Sequence, residues 1–251
     1  MDTIPADAIA FLILFARVGA VLMLLPAFGD EGVPGRVRLM LALAMTVALW
    51  GLLSGEALPV ARAGGDGLLG VILAELLTGL GLGMMVKLMF LAIATAGSIV
   101  SLQVGLTSAL IFDPVQGGQT TVLSKLVSVA AAVICMALLV HHLWIAAIVR
   151  SYQTFPVGGI PLAGDFAELA IRTAGRSLVL AVSLAAPMIV YGIVFNVALG
   201  LAARLAPAMQ VFFVAQPLNL TLGLGLFAGL SGIVLTAFAT SFSQWLHAGW
   251  G

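Results

Sequence analysis

The chain reads as an all-α, membrane-associated helical protein with bent helices and helical hairpins. Three observations predict this. From Leu205 to Gly251 there is no Asp, Glu, Lys or Arg. A water-soluble surface needs charge for solvation, whereas an ionised side chain at a bilayer centre costs several kcal/mol. Over the whole length 62% of residues are hydrophobic and only 8% charged, a membrane-class composition. Backbone groups in hydrocarbon must be satisfied within their own segment, so long apolar stretches are helices. The alternating pattern of a membrane barrel is absent.

Six apolar segments occur in order: 8–25, 38–53, 68–102, 122–149, 177–203 and 217–242. Crossing about 30 Å of hydrocarbon takes roughly 20 helical residues. The first segment fits one crossing and carries Arg17. The second is short. The third is much longer than one crossing and carries Glu75 and Lys87. The fourth is taken as one segment, 122–149. Pro187 interrupts the fifth and Pro217 opens the sixth. Proline removes a helical donor, so both are read as bent helices or helical hairpins. Arg36, Arg38, Lys125 and Arg204 on one side balance Arg62, Arg150, Arg172 and Arg176 on the other, so charge asymmetry sets no orientation.

The connection 103–121 holds Gly105, Gly117, Gly118 and the breaker Asp113-Pro114 around an apolar tip, Leu110-Ile111-Phe112. Loops this long are functional or disordered, and the apolar tip argues against disorder. It is either a plug resting in a pore or a loop packed on its own helices. Composition alone favours packing.

Small residues form three rows at helical spacing. Glu75, Gly79, Gly83 and Lys87 lie at i, i+4, i+8 and i+12 on the third segment. Glycines four apart let a second backbone come close, and Glu75 and Lys87 are expected to find partners flanking that contact. A second row runs Ala94, Gly97 or Ser98, Ser101 and Gly105. A third is Asn196, Gly200 and Arg204. Spacing does not say which rows pack within the chain and which against another subunit. Arg17, Glu75 and Lys87 read as structural ion-pair residues, with proton relay the alternative.

Function classes narrow by exclusion. Ten acidic and ten basic residues leave no net charge and no basic block for nucleic acid. Met1-Asp2-Thr3 opens without a basic stretch, so no cleaved signal is expected. Cys135, the single cysteine, excludes an intrachain disulfide framework. His141 and His142 are adjacent, about 100° apart on a helix, and cannot share a metal as an i, i+4 pair does. Gly229-Leu230-Ser231-Gly232 matches the nucleophile motif of rhomboid proteases, but the only downstream histidine is His247. These glycines are read as packing residues, and neither metal, cofactor nor catalytic residue is expected.

A further set of motifs runs through the whole chain. It comprises Arg17 with Pro26, then Val33-Pro34-Gly35-Arg36-Val37-Arg38-Leu39, then Glu75 with Gly79 and Gly83, then Gly97. Gln103-Val104-Gly105-Leu106 and Asp113-Pro114 come next, then His142, Ser151, Pro156-Val157-Gly158 and Pro187. Arg204-Leu205-Ala206-Pro207, Val211-Phe212 and Pro217-Leu218 close the set. In order and spacing the chain resembles the FliR family of the flagellar type III export apparatus, whose injectisome relatives share the fold. Ala208, Gln210 and Ala215 depart mildly from the family pattern.

The resemblance implies one FliR-like domain over 1–251, a subunit of a helical export gate in the flagellar basal body at the bacterial inner membrane. It implies assembly with sister subunits of the FliP and FliQ types, beside an FlhB-type switch protein, in contact with membrane lipid. Unfolded flagellar proteins would pass through the shared channel. The matching loop, Leu106, Thr107, Ser108, Ala109, Leu110, Ile111, Phe112, Asp113, Pro114, Val115, Gln116, Gly117, Gly118 and Gln119, would lie in that channel and help close it. Glu75, Gly79, Gly83, Lys87, Gly97, Gly105, Asn196, Gly200 and Arg204 would serve helix packing or subunit interfaces. The alternatives are an injectisome subunit and a small-solute or proton-coupled transporter. A transporter needs an internal repeat with paired broken helices, and the likeness of 77–83 to 220–226 is too slight to establish one.

Overall fold

The computed structural model describes residues 5–29, 32–63, 67–106, 122–159, 163–206 and 211–248, the side chains of 163 and 212–214 apart. Among these residues the structure is all-α, with no strand. The helices are α1 (Ala6–Leu24), α2 (Gly35–Ala63), α3 (Leu68–Val104), α4 (Val122–Ala137), α5 (Val140–Thr154), α6 (Ala163–Leu205) and α7 (Val211–His247). Five of them, α1, α2, α3, α6 and α7, are long and apolar enough to cross a membrane. The α4–α5 pair is a bent candidate for a sixth crossing.

Residue contacts divide the chain into two compact units. One comprises Met1–Phe90, Leu139–Ala174 and Ser243–Gly251, and the other Leu91–Leu138 and Gly175–Phe242. Helices α3, α6 and α7 each contribute to both. At 37 residues and 1.5 Å per residue, α3 is about 55 Å long, enough to serve two cores in turn.

In the first unit α1 is the central element. Ala10, Ile13, Leu14, Arg17, Val18, Val21 and Leu22 are almost completely buried. The helix stops because Leu25 turns extended ahead of Pro26, while the N–H of Leu25 still reaches the carbonyl of Val21. Gly29 then donates to the carbonyl of Leu25 at 2.7 Å. A methyl group on Gly29 would stand 2.5 Å from the carbonyl oxygen of Met23, so the turn requires glycine. Helix α2 packs on α1, with the Phe11 and Trp50 rings 6.1 Å apart.

In the second unit α3 meets α4 at Gly97, where a methyl group would stand 2.7 Å from Cα of Ser124. Ser124 Oγ donates to the carbonyl of Ala94 at 2.6 Å, closing the polar group inside that contact. Apolar residues from α3, α4, α6 and α7, among them Ile93, Val127, Met188 and Phe238, fill this core. The outer faces stay apolar: Val190, Ile193, Val194, Val197 and Leu201 on α6 are all more than half exposed. A soluble monomer does not carry so large an apolar surface.

Three sequence expectations need correction. The short second segment is a helix of 29 residues, extended at both ends. It begins where the N–H groups of Val37 and Arg38 reach back to Pro34, and continues past polar Ser54 and Glu56 because Ala57 and Ala61 are buried. The fourth segment is two helices, not one. The break lies at Leu138 and Leu139, with Leu139 in the left-handed region at φ 59°. Left-handed backbone costs a non-glycine residue about 1–2 kcal/mol. Cys135 before it and Val140 and Trp144 after it are buried. The fifth and sixth segments do not fold back as hairpins. Each is one helix with its proline inside, Pro187 in α6 and Pro217 in α7.

Gly97 and Gly225 form a matched test of this packing, because a methyl group on Gly225 meets nothing within 4 Å. Gly97→Ala is expected to lower stability by about 1–3 kcal/mol through overpacking against the Ser124 backbone. Gly225→Ala should be neutral or slightly stabilising through helix propensity. Thermal unfolding of both variants in the same detergent checks the difference.

Candidate functional site

The first unit is built around a charged cluster inside apolar packing. Arg17 on α1 and Glu75 on α3 are both fully buried. Arg17 Nε donates to Glu75 Oε2 at 2.6 Å and Nη2 to Oε1 at 2.8 Å, a bidentate pair. The other guanidinium nitrogen, Nη1, donates to the carbonyls of Phe155 at 2.9 Å and Ser151 at 3.3 Å. Phe155 is the C-cap residue of α5, past the point where helical partners run out, while the Ser151 carbonyl also accepts the N–H of Phe155 at 2.8 Å. The guanidinium also lies 4.0 Å from the centroid of the buried Tyr152 ring. Glu75 Oε1 accepts a further hydrogen bond, at 3.0 Å, from the N–H of Gly158. Gly158 sits at φ 77°, which suits glycine and aims that N–H into the cluster.

The glycine row brings the two charges together. A methyl group on Gly79 would stand 2.5 Å from the carbonyl oxygen of Arg17 and 2.8 Å from Cβ of Ala20. One on Gly83 would stand 2.9 Å from Cβ of Leu24. Helices α1 and α3 therefore touch backbone to backbone over two turns, and Glu75, one turn before Gly79, falls beside Arg17. These two glycines meet α1 of their own chain.

Lys87 does not join them. It is exposed and forms no ion pair among the described residues. An i+4 row drifts about 40° per step, so Lys87 stands about 120° around the helix from Glu75. Within the described residues of this chain Lys87 therefore meets no partner at the α1–α3 contact.

The other rows separate by environment. Gly97 faces the Ser124 backbone. Gly105, at φ 84°, ends α3 with its Cα facing Gln216 and Asn219 of α7. Asn196 is exposed and its amide donates to the carbonyl of Gly192, while Gly200 meets nothing within 4 Å and Arg204 is exposed. That third row faces outward. Of the expected channel loop only Leu106 belongs to the described residues; Thr107 to Gln119 lie outside them. Both neighbouring ends are fixed, α3 at Gly105 and α4 at Ser124.

Catalytic geometry does not assemble around the motifs weighed for it. Ser231 Oγ donates to the carbonyl of Ala228, and His247 Nδ1 lies 2.8 Å from the carbonyl of Ser243, each within its own helical turn. The rings of His141 and His142 lie 4.3 Å apart. Among the described residues no three His, Cys, Asp or Glu side chains group as metal ligands. Sequence reasoning singled out Arg17 and Glu75 but missed that they pair, and missed the Ser151 and Phe155 carbonyls, Tyr152 and Asn219. Ser151 and Gly158 carried a signal in the family motifs; Asn219, a polar residue inside an apolar helix, was the other available clue.

Fold and cluster together define a polytopic α-helical membrane protein with an internal ionic clamp and unpaired apolar outer faces. The chain belongs to the bacterial export proteins of family 1, whose sequence profile matches residues 8–245, and within them to the FliR flagellar biosynthetic proteins. It is 42% identical to the flagellar biosynthetic protein FliR of Caulobacter vibrioides, over 89% of each chain. Identity to FliR of Escherichia coli is 34%, over 91% of this chain and 86% of the relative. For FliR of Bacillus subtilis it is 26%, over 93% and 90%.

Breaking a buried ion pair strands a charge, at about 3–5 kcal/mol, whereas replacing both partners by apolar groups is much less costly. Arg17→Met and Glu75→Ala are therefore each expected to lose about that much stability. Glu75→Gln should lose less, since it keeps one acceptor for Gly158. The double variant Arg17→Met with Glu75→Leu should recover most of the loss. Thermal unfolding across this cycle gives the coupling energy, and additive losses would contradict the clamp.

Proposed function

We propose that this chain works as an inner-membrane subunit of the flagellar type III protein export gate and helps form and close the passage for unfolded flagellar proteins. The observation that carries the reading is the end-to-end identity of 42% with a flagellar biosynthetic protein FliR. Physical features support it. Five apolar helices of membrane-crossing length account for most of the chain. Broad apolar faces on α6 and α7 need either lipid or protein to cover them. The row Asn196, Gly200 and Arg204 lies open on such a face, where a second helix can approach closely.

On this reading the subunit is structural rather than enzymatic. Its partners are sister subunits of the FliP and FliQ types and an FlhB-type switch protein, with unfolded export substrates as cargo. The buried Arg17–Glu75 clamp holds the first unit rigid and relays no proton, since both Glu75 oxygens are engaged by Arg17 and one also by Gly158. The segment Leu106 to Gln119 lies in the passage and closes it. An apolar tip suits that role because it excludes water from a constriction and moves without breaking a helix.

Expressed without partners, the chain should aggregate or be unstable in detergent; co-expressed with the sister subunits, it should purify as one large complex. Native mass spectrometry distinguishes these, and a stable, homogeneous, partner-free monomer would overturn the gate reading.

Deleting residues 107–117 should leave the complex able to assemble but make the membrane leak ions and small solutes. Phe112→Ala should leak less, since Leu110 and Ile111 remain. Membrane potential and solute uptake in cells carrying the whole gate are the measurements. An assembled, export-active gate without added leak would show that the loop is not the closure.

A further inference from the structure

Helix α3 carries two charged residues, Glu75 and Lys87. Glu75 is buried against Arg17. Lys87 is exposed, and it forms no ion pair among the described residues. It stands in line with Leu73, Leu77, Leu80 and Met84, all exposed on the part of α3 that belongs to the first unit. The steps from Leu73 to Lys87 are four, three, four and three residues. Alternating steps of this kind keep one narrow seam along a helix, the geometry along which a second helix packs. The described residues of this chain leave that seam uncovered.

Lipid alone does not suit it. At 1.5 Å per residue, about 28 Å of α3 precedes Lys87 and about 26 Å follows it. Hydrocarbon is about 30 Å thick. With Lys87 near its centre, the ammonium would lie about 15 Å from either headgroup layer, beyond the few Å that a lysine side chain can snorkel. Moving Lys87 to a headgroup layer carries one half of α3 out of the hydrocarbon. That half holds either Leu73 to Met84 or Leu91 and Leu102, all exposed apolar residues. In each placement protein has to cover part of the face.

A cation in such a seam is stable when a carboxylate faces it. The described carboxylates of this chain do not serve: Glu75 holds Arg17 and Glu168 holds Arg172, while Asp7, Glu56 and Asp165 are exposed and make no ion pair with Lys87. We propose that the seam from Leu73 to Lys87 receives one apolar helix of a sister subunit, and that an Asp or Glu on that helix pairs with Lys87. A single charged pair in an apolar seam fixes the register of the two helices. The proposal rests on the reading that this chain assembles into an export gate.

The test uses the chain co-expressed with its sister subunits. Native mass spectrometry of the unsubstituted complex tests the gate reading by itself, and absence of a complex overturns that reading and this proposal with it. Given the complex, a photoreactive benzoylphenylalanine in place of Met84, or of Leu80 if that site disturbs assembly, should crosslink to a sister subunit. The captured peptide should hold an Asp or Glu inside an apolar run. Capture of lipid alone, of a second copy of this chain, or of another segment of the same chain overturns the proposal.

The charge is tested separately. Lys87→Met makes α3 more apolar, so it should insert at least as well as the parent. By stranding the partner's carboxylate it should lower the yield of assembled complex about tenfold. Lys87→Glu, which sets like charges together, should lower it further, and Lys87→Arg should assemble nearly as the parent does. Replacing the captured acid by Leu in the Lys87→Met background should restore most of the yield, since both charges are then gone. Undiminished assembly of both Lys87→Met and Lys87→Glu overturns the pair. So does a loss in Lys87→Met that the second substitution leaves unrepaired.

Discussion

A charge buried in an apolar interior must find all its partners within reach, and in this protein that requirement organises the first unit. Arg17 brings the donors, and the structure spends them on Glu75 and on the two carbonyls at the end of α5. Satisfying the pair demands that α1 and α3 run in backbone contact, which only small residues at Gly79 and Gly83 permit. It also demands a turn after α5 that points an N–H inward, which the left-handed Gly158 provides. The net gain of such a pair over apolar packing is small. Its strong effect is on specificity, because a register shift of α3 by one residue would leave Arg17 facing no carboxylate.

The second unit solves a related problem without charge. Polar groups are scarce there, and two of the buried ones are matched to carbonyls of a neighbouring helix. Ser124 reaches the carbonyl of Ala94 where α4 meets α3, and Asn219 reaches two carbonyls where α3 stops. In both places a glycine marks the closest approach, Gly97 and Gly105. These two joints lie near the described ends of the connection between α3 and α4.

The outward faces complete the link to function. Long helices with exposed Val, Ile and Leu on α6 and α7 suit lipid or sister subunits and do not suit water. Membership of the bacterial export family supplies the context in which such faces are used. Within that context the ionic clamp and the capped helix end each keep their own unit rigid, as a subunit must be while cargo moves past it.

The sequence by itself determined the solvent and the class of fold, because hydropathy and charge are properties of segments and need no tertiary information. It also marked Arg17, Glu75 and the glycine rows, since a charge or a backbone-only residue in apolar surroundings is conspicuous at fixed helical spacing. It did not determine partners. That the partner of Glu75 is Arg17, 58 residues away on another helix, depended on which faces came together. The break at Leu139, a left-handed residue that is neither Gly nor Asn, carried no Gly or Pro to announce it. Whether α6 and α7 ran on through Pro187 and Pro217 or folded back as hairpins was left open, since the effect of one missing donor is decided by what surrounds it. Asn219 became a cap only when folding carried it across more than a hundred residues to the end of α3. Segment chemistry is local and can be read along the chain; satisfaction of buried polar groups is a property of the assembled interior, and tertiary structure alone decides it.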